Sequence, residues 1–225
     1  MVKKILQIRF FLLINFLASI SIISCTQLES SPHKTANIKS MTNQKTDTAI
    51  FGAGCFWCVE AVFQQLDGVL KVTSGYSGGH IANPTYEQVC TKKTGYAEVC
   101  RIVYDPEKIT YDELLEVFWK THDPTTHDRQ GNDRGPQYRS VIFYQNEEQK
   151  RLAEEYKFKL NKSGAWSEPV LTAIERLKNY YEAEDYHQNY FNTNPEQLYC
   201  RYIIQPKLEK FEKVFKNKLK KSKAL

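Results

Sequence analysis

Apolar positions along the chain fall into two alternating rhythms. Thr48-Ala49-Ile50-Phe51-Gly52-Ala53-Gly54 is a short apolar run ending in glycines and reads as a buried strand. From Cys55 to Leu66 the period changes, with Val59, Val62, Phe63 and Leu66 on one helical face. Val69 to Tyr76 reads as a strand before the Gly78-Gly79 turn, Thr85 to Lys92 as a short helix, and Tyr96 to Tyr104 as a strand stopped at Asp105-Pro106. Thr110 and Glu113 have capping-box spacing for a helix reaching Thr121. His122 to Gln137 reads as a long polar loop, of the length that commonly carries function. Beyond it the pattern predicts a strand at Arg139 to Tyr144, a helix at Glu147 to Leu160 and a strand at Val170 to Leu177. A Tyr-rich helix at Ala183 to Phe191 and an amphipathic basic helix at Lys207 to Lys221 complete the set. Alternating strands and helices with apolar faces imply one mixed α/β or α+β domain.

The first 24 residues differ. Lys3, Lys4 and Arg9 precede an apolar run from Phe10 to Ile23, too short for the roughly 20 residues of a spanning helix. This is the layout of a secretory signal, and Ile22-Ile23-Ser24-Cys25 resembles the bacterial lipoprotein signal. That resemblance implies cleavage before Cys25, a lipid on its thiol, and an exported protein anchored to a membrane of the cell envelope, on its periplasmic or extracytoplasmic face. Residues 25–47 lack apolar periodicity and read as a flexible tether. The expected organisation is a signal at 1–24, a tether at 25–47, a domain at 48–215 and a basic tail at 216–225.

Composition narrows the function. The formal charge of +5 is concentrated at the two ends, with eight lysines between Lys207 and Lys223. The near-neutral body argues against nucleic acid as the main partner, because phosphate binding needs a clustered basic surface. Six cysteines stand at 25, 55, 58, 90, 100 and 200. With Cys25 lipidated, five remain, and an odd count leaves at least one thiol free or redox-active. One C-x-x-C without a second pair makes a metal site unexpected.

Gly54-Cys55-Phe56-Trp57-Cys58-Val59-Glu60 is the most informative segment. Cys55 stands where a strand gives way to a helix, whose unpaired N–H groups and positive dipole end favour thiolate. Taken alone, this is compatible with a nucleophile or with a buried inert thiol beside two core aromatics. The segment resembles the active-site signature of the A-type peptide methionine sulfoxide reductases. The likeness continues through Gly75-Tyr76-Ser77-Gly78-Gly79, Asn83-Pro84-Thr85-Tyr86, Gly95-Tyr96-Ala97-Glu98-Val99, Phe118-Trp119 and His122-Asp123-Pro124. It goes on over Arg129-Gln130-Gly131-Asn132-Asp133, Gln137-Tyr138-Arg139-Ser140, Ala183-Glu184-Asp185-Tyr186-His187-Gln188 and Tyr199-Cys200, covering Thr48 to Phe215 in order.

The resemblance implies an α+β fold with a ferredoxin-like mixed sheet and helices packed on it. It implies reduction of methionine S-sulfoxide, free or in proteins, as a repair activity. Cys55 is then the attacking thiol, and Glu98 a carboxyl kept protonated by burial to act as acid. Tyr86 and Tyr138 bond the sulfoxide oxygen, Asp133 organises polar contacts, and Phe56 and Trp57 cage the methyl group. It implies no metal or organic cofactor, only an external thiol, thioredoxin-like or dithiothreitol, that reopens a disulfide. The expected state is a monomer. Cys200 is the first choice for the thiol that closes this disulfide and Cys58 its rival, three residues along the helix. Cys90 and Cys100 read as small buried apolar residues. Tyr96 stands where His is frequent in the family, and the Gly-rich tail of some members is missing. A thioredoxin-type oxidoreductase using Cys55 and Cys58, or a lipid-anchored binding protein, are the competing classes.

Overall fold

A computed structural model describes residues 45–221. The signal, Cys25 and most of the tether lie outside the described residues. Strand β1 (Asp47–Ala53) leads to helix α1 (Phe56–Gln64), β2 (Val69–Ser77), the short α2 (Tyr86–Cys90), β3 (Ala97–Tyr104) and α3 (Tyr111–Thr121). A hairpin of β4 (Arg129–Gln130) and β5 (Asp133–Arg134) precedes β6 (Ser140–Tyr144), α4 (Glu147–Lys162), β7 (Ala173–Arg176) and β8 (Tyr180–Glu182). Helices α5 (Tyr190–Thr193) and α6 (Gln205–Val214) follow.

The main sheet has the order β7-β6-β1-β3-β2-β8, with every pair antiparallel except β6 and β7. Its centre, β6-β1-β3-β2 with α1 and α3 as crossovers, is the ferredoxin-like double split β-α-β arrangement. Side chains alternate across the sheet. Ala49, Phe51 and Ala53 of β1 and Cys100, Ile102 and Tyr104 of β3 join the large core under the helices. Ile50, Ala97, Val99, Val141 and Phe143 form a smaller core on the opposite face. The Thr110–Glu113 capping box is present in both directions, at 3.2 and 2.9 Å, and caps of this kind contribute about 1 kcal/mol. At the far end of α3, the buried His122 bonds Phe118 O and Ser140 Oγ, each at 2.7 Å, tying that helix to β6.

Four expectations change. The loop at 122–137 contains the β4–β5 hairpin, turned at Gly131 with φ +58°. The strand expected at 170–177 is limited to Ala173–Arg176. The helix expected at 183–191 is broken into a 3₁₀ turn at Asp185–His187 and the short α5. Gln188 Nε2 donates to Ser74 O and Ala183 O, and Asn189 adopts a left-handed φ of +52°. The basic helix ends at Val214 rather than Lys221. The chain then turns back so that Leu219 bridges Leu66, Asp67 N–H donates to Lys218 O, and Lys220 N–H donates to Gln65 O. No helix among the described residues is long and apolar enough to cross a membrane.

Candidate active site

The site is built at the joint between β1 and α1. Gly54 turns the chain there with φ +93°, and a Cβ on it would stand 2.6 Å from Gln130 Cβ. Glycine therefore lets β4 close over the start of the helix. Cys55 is the residue before the first turn, and its carbonyl accepts from Cys58 N–H at 3.1 Å. Cys55 as a residue is 8% exposed, and it lines a cavity of about 220 Å³. Cys58, Gln130, Asn132, Asp133, Tyr199 and Lys207 also line this cavity.

Glu98 occupies the phase of β3 that faces the helices, next to Cys100. Its Oε2 accepts from Phe56 N–H at 3.0 Å, so the first free amide of α1 is taken by this carboxyl. Burial pushes Glu98 up to about 8, against the pull of that N–H, with the charges of Asp133 and Cys58 adding to the rise. At neutral pH the carboxyl is therefore mostly an acid with a proton to give.

The two thiols of α1 act as a pair. Their shared hydrogen bond draws Cys58 down to about 7, against burial, with Lys207 and the Tyr199 hydroxyl helping. Cys55 is pushed well up, first by burial and then by Cys58. A Cys55 thiolate favoured by the helix start alone is thus not the resting state, because desolvation outweighs the dipole. The first proton lost belongs to the pair, and its charge rests on Cys58.

Asp133 enters the cavity from β5, and its carboxylate accepts from Tyr199 OH at 2.7 Å. The same hydroxyl lies 3.8 Å from Cys58 Sγ. Tyr86 and Tyr138 stand on the Glu98 side, away from the lining of this cavity. Both hydroxyls are pushed up by burial first; for Tyr86 the hydrogen bond with Cys90 comes next and then the Glu98 charge, and for Tyr138 the Glu98 charge comes next and then that of Cys55. Trp57 stacks on Tyr190, with ring centroids 3.7 Å apart and planes within 7°. Its Nε1–H donates to His187 Nδ1 at 3.2 Å. Phe56 is buried against Tyr76 and His187. Cys200 lies fully buried in a π-helical turn at Cys200–Ile204 that packs on α1, its thiol pushed up by burial first and then by the charge of Cys58. Cys90 is only partly buried, whereas Cys100 is part of the core, its thiol donating to Phe56 O at 3.4 Å. Tyr96 packs its ring on Gly79 and donates its hydroxyl to Ile81 O, so it bonds away from Glu98.

The family model described as peptide methionine sulfoxide reductase matches residues 47–219. The chain belongs to that family. It is an oxidoreductase that reduces methionine sulfoxide. The reductase MsrA of Natronomonas pharaonis is 51% identical over 174 residues, 77% of this chain and 98% of that protein. The MsrA of Acinetobacter baumannii is 54% identical over 172 residues, 76% and 98% of the two chains. Among solved structures, Mxr1 from Saccharomyces cerevisiae in reduced form is 35% identical with a TM-score of 0.65, over 69% of this chain and 90% of that one. Methionine sulfoxide reductase A of Corynebacterium diphtheriae is 38% identical with a TM-score of 0.61, over 68% and 76%.

Several residues of this reductase site carried no role in the sequence. His187 is buried and holds Trp57, and only its place in the Ala183–Gln188 run pointed to it. Glu184 ties α2 to β2, accepting from Tyr86 N–H at 2.8 Å and Tyr76 OH at 2.9 Å. Glu60 is pushed up to about 7 by burial, although it accepts from Asn189 and Tyr190 N–H. Tyr199 was visible only as the neighbour of Cys200, and Lys207 only as one lysine among many.

Proposed function

We propose that Cys55 reduces the S epimer of methionine sulfoxide, free or within oxidised proteins, with Glu98 as the acid. As Cys55 attacks the sulfoxide sulfur, its own proton crosses the shared hydrogen bond to Cys58. Glu98 gives a proton to the oxygen, which leaves sulfur for Cys55. Methionine is released, its sulfur reduced by two electrons, and Cys55 is oxidised to the sulfenic acid. Tyr86 and Tyr138 steady the oxygen from the Glu98 side, Trp57 and Phe56 enclose the methyl group, and Asp133 orders the polar wall through Tyr199. Cys58 then displaces hydroxide from Cys55, which leaves as water, and a Cys55–Cys58 disulfide forms. A thioredoxin-like dithiol reopens it.

The observation that carries this assignment is the joint burial of Glu98 and Cys55 at one helix start, with the carboxyl held largely protonated. Cys58 is preferred to Cys200 as the second thiol because it lies one turn from Cys55, with its N–H donating to Cys55 O at 3.1 Å, and lines the same cavity as Cys55. The test is methionine formation from methionine S-sulfoxide with dithiothreitol, and mass mapping of the disulfide after one turnover without reductant. Cys55→Ser should abolish turnover. Undiminished activity in that variant would remove the assignment, and disulfide exchange without sulfoxide reduction would favour a thioredoxin-type role.

We further propose that Cys25 carries a lipid and holds the enzyme on a membrane of the cell envelope, on its periplasmic or extracytoplasmic face. The basic, apolar and Ser24-Cys25 segments of the first 25 residues support it. Cys25→Ala should release the protein from the membrane fraction; retention of that variant would refute the anchor.

A further inference from the structure

We propose that Lys207 is a positioning residue for the second half of the reaction, holding Cys58 as the thiolate that closes on the Cys55 sulfenic acid. This rests on the assignment of Cys58 as the resolving thiol. Lys207 sits in the first turns of α6, just after Pro206. It lines the cavity that contains both thiols. It also lines the small void between Cys58, Val59, Val62, Phe63 and Thr121, so its stem lies along α1. Among the described residues no carboxylate forms an ion pair with it, whereas Lys218 nearby in sequence is bound to Glu113 at 2.6 Å. Its charge is therefore available to the cavity.

The groups facing Cys58 come from five elements. Cys55 stands at the start of α1, Tyr199 and Cys200 at the π-helical turn, Asp133 on β5, Glu98 and Cys100 on β3, and Lys207 on α6. Asp133 and Glu98 bring negative charge or the capacity for it. Lys207 is the cation that acts on Cys58, and its field also reaches the buried His122 and opposes protonation there. After the first step Cys58 holds the proton taken from Cys55, and the pair no longer shares a thiolate. At that moment the thiol proton of Cys55 that favoured the Cys58 anion is gone, because Cys55 is now S–OH. The Tyr199 hydroxyl and the Lys207 ammonium remain to favour loss of the proton, and of the two only the ammonium carries a full charge. The balance is Cys58–SH plus Cys55–S–OH giving the disulfide and water, with the Cys58 proton leaving on the departing hydroxide. No further oxidant or reductant is needed.

The experiment separates the two steps in the full chain. Enzyme is mixed with methionine S-sulfoxide without reductant at a series of pH values. Methionine formed reads the first step, and loss of alkylatable thiol, with the bond located by mass mapping, reads the second. In Lys207→Met the pH midpoint of disulfide closure should rise by about one unit, the lower end of what an opposite charge at close range does. Lys207→Arg should restore it, which a packing role for the lysine would not predict, since the two side chains differ in shape but share charge. An unmoved midpoint in Lys207→Met overturns the proposal, as does mapping of the first disulfide to Cys200 in the wild-type protein. Wild-type protein that forms no methionine at all would instead sink the assignment of the attack to Cys55. Should Lys207→Met lose its cooperative thermal transition, Lys207→Gln takes its place with the same expected shift and the same overturning result.

Discussion

At the residue scale, two titrations bracket the chemistry. The thiol pair gives up its first proton near 7, and Glu98 loses its proton near 8. The proposed reaction needs the pair deprotonated and the carboxyl protonated. The folded carboxyl is raised, so its acid form is present below about 8 and lost as pH rises through that value. We expect kcat/KM to follow a narrow bell, climbing through about 7 and falling through about 8. In Glu98→Gln the alkaline fall should vanish and the single-turnover rate should drop about 10²–10⁴-fold, because the amide keeps a hydrogen bond but has no proton to give. A variant with the wild-type rate and the same alkaline limb would disprove the role. Glu98 was legible as a site residue only through the run of matched motifs. The strand alternation did contain a signal, since position 98 is in phase with Cys100, Ile102 and Tyr104. A charged residue in that phase must be either paired or neutral.

At the element scale, long periodic segments were readable and segments fixed by distant partners were not. β1, α1, β3, α3 and α4 follow their apolar periods, and the Thr110–Glu113 cap is where its spacing placed it. The segment at 183–191 has helical composition, yet Gln188 spends its amide on the backbone of β2 across more than a hundred residues. Such a tertiary bond leaves no local mark. The end of the basic helix is similar: Leu219 pairs with Leu66, and Lys218 reaches Glu113 on α3. This return segment closes the joint between α1 and β2. Stopping the chain after Phe215 removes three backbone hydrogen bonds, the ion pairs of Lys218 with Glu113 and Glu116, the Lys220 side-chain bond to Gln64 O and the packing of Leu219. We expect a loss of about 2 kcal/mol, or roughly 4–8 °C in Tm for a domain of this size. Calorimetry of the truncated protein checks it, and an unchanged Tm would show that the segment adds no stability.

At the scale of the whole molecule, the motifs indicated the ferredoxin-like centre, whereas periodicity alone left strand order open. The parallel β7 and the three-residue β8 extend that centre on its two edges, and Gly75 lets β8 approach β2 closely. The site depends on both halves of the chain: the thiols come from α1, but Asp133, His187, Tyr199 and Lys207 are supplied from 75 or more residues later. The one-turn separation of Cys55 and Cys58 has a thermodynamic consequence. A bond between them closes a ring of only four residues, which removes little freedom from the unfolded chain, about 2 kcal/mol by chain-entropy reasoning. A bond from Cys55 to Cys200 would close a ring of about 145 residues and count for about 5 kcal/mol. In the proposed mechanism, oxidation at the helix start thus barely ties the fold to its redox state, and the incoming dithiol opens a cross-link that the tertiary structure has little stake in keeping.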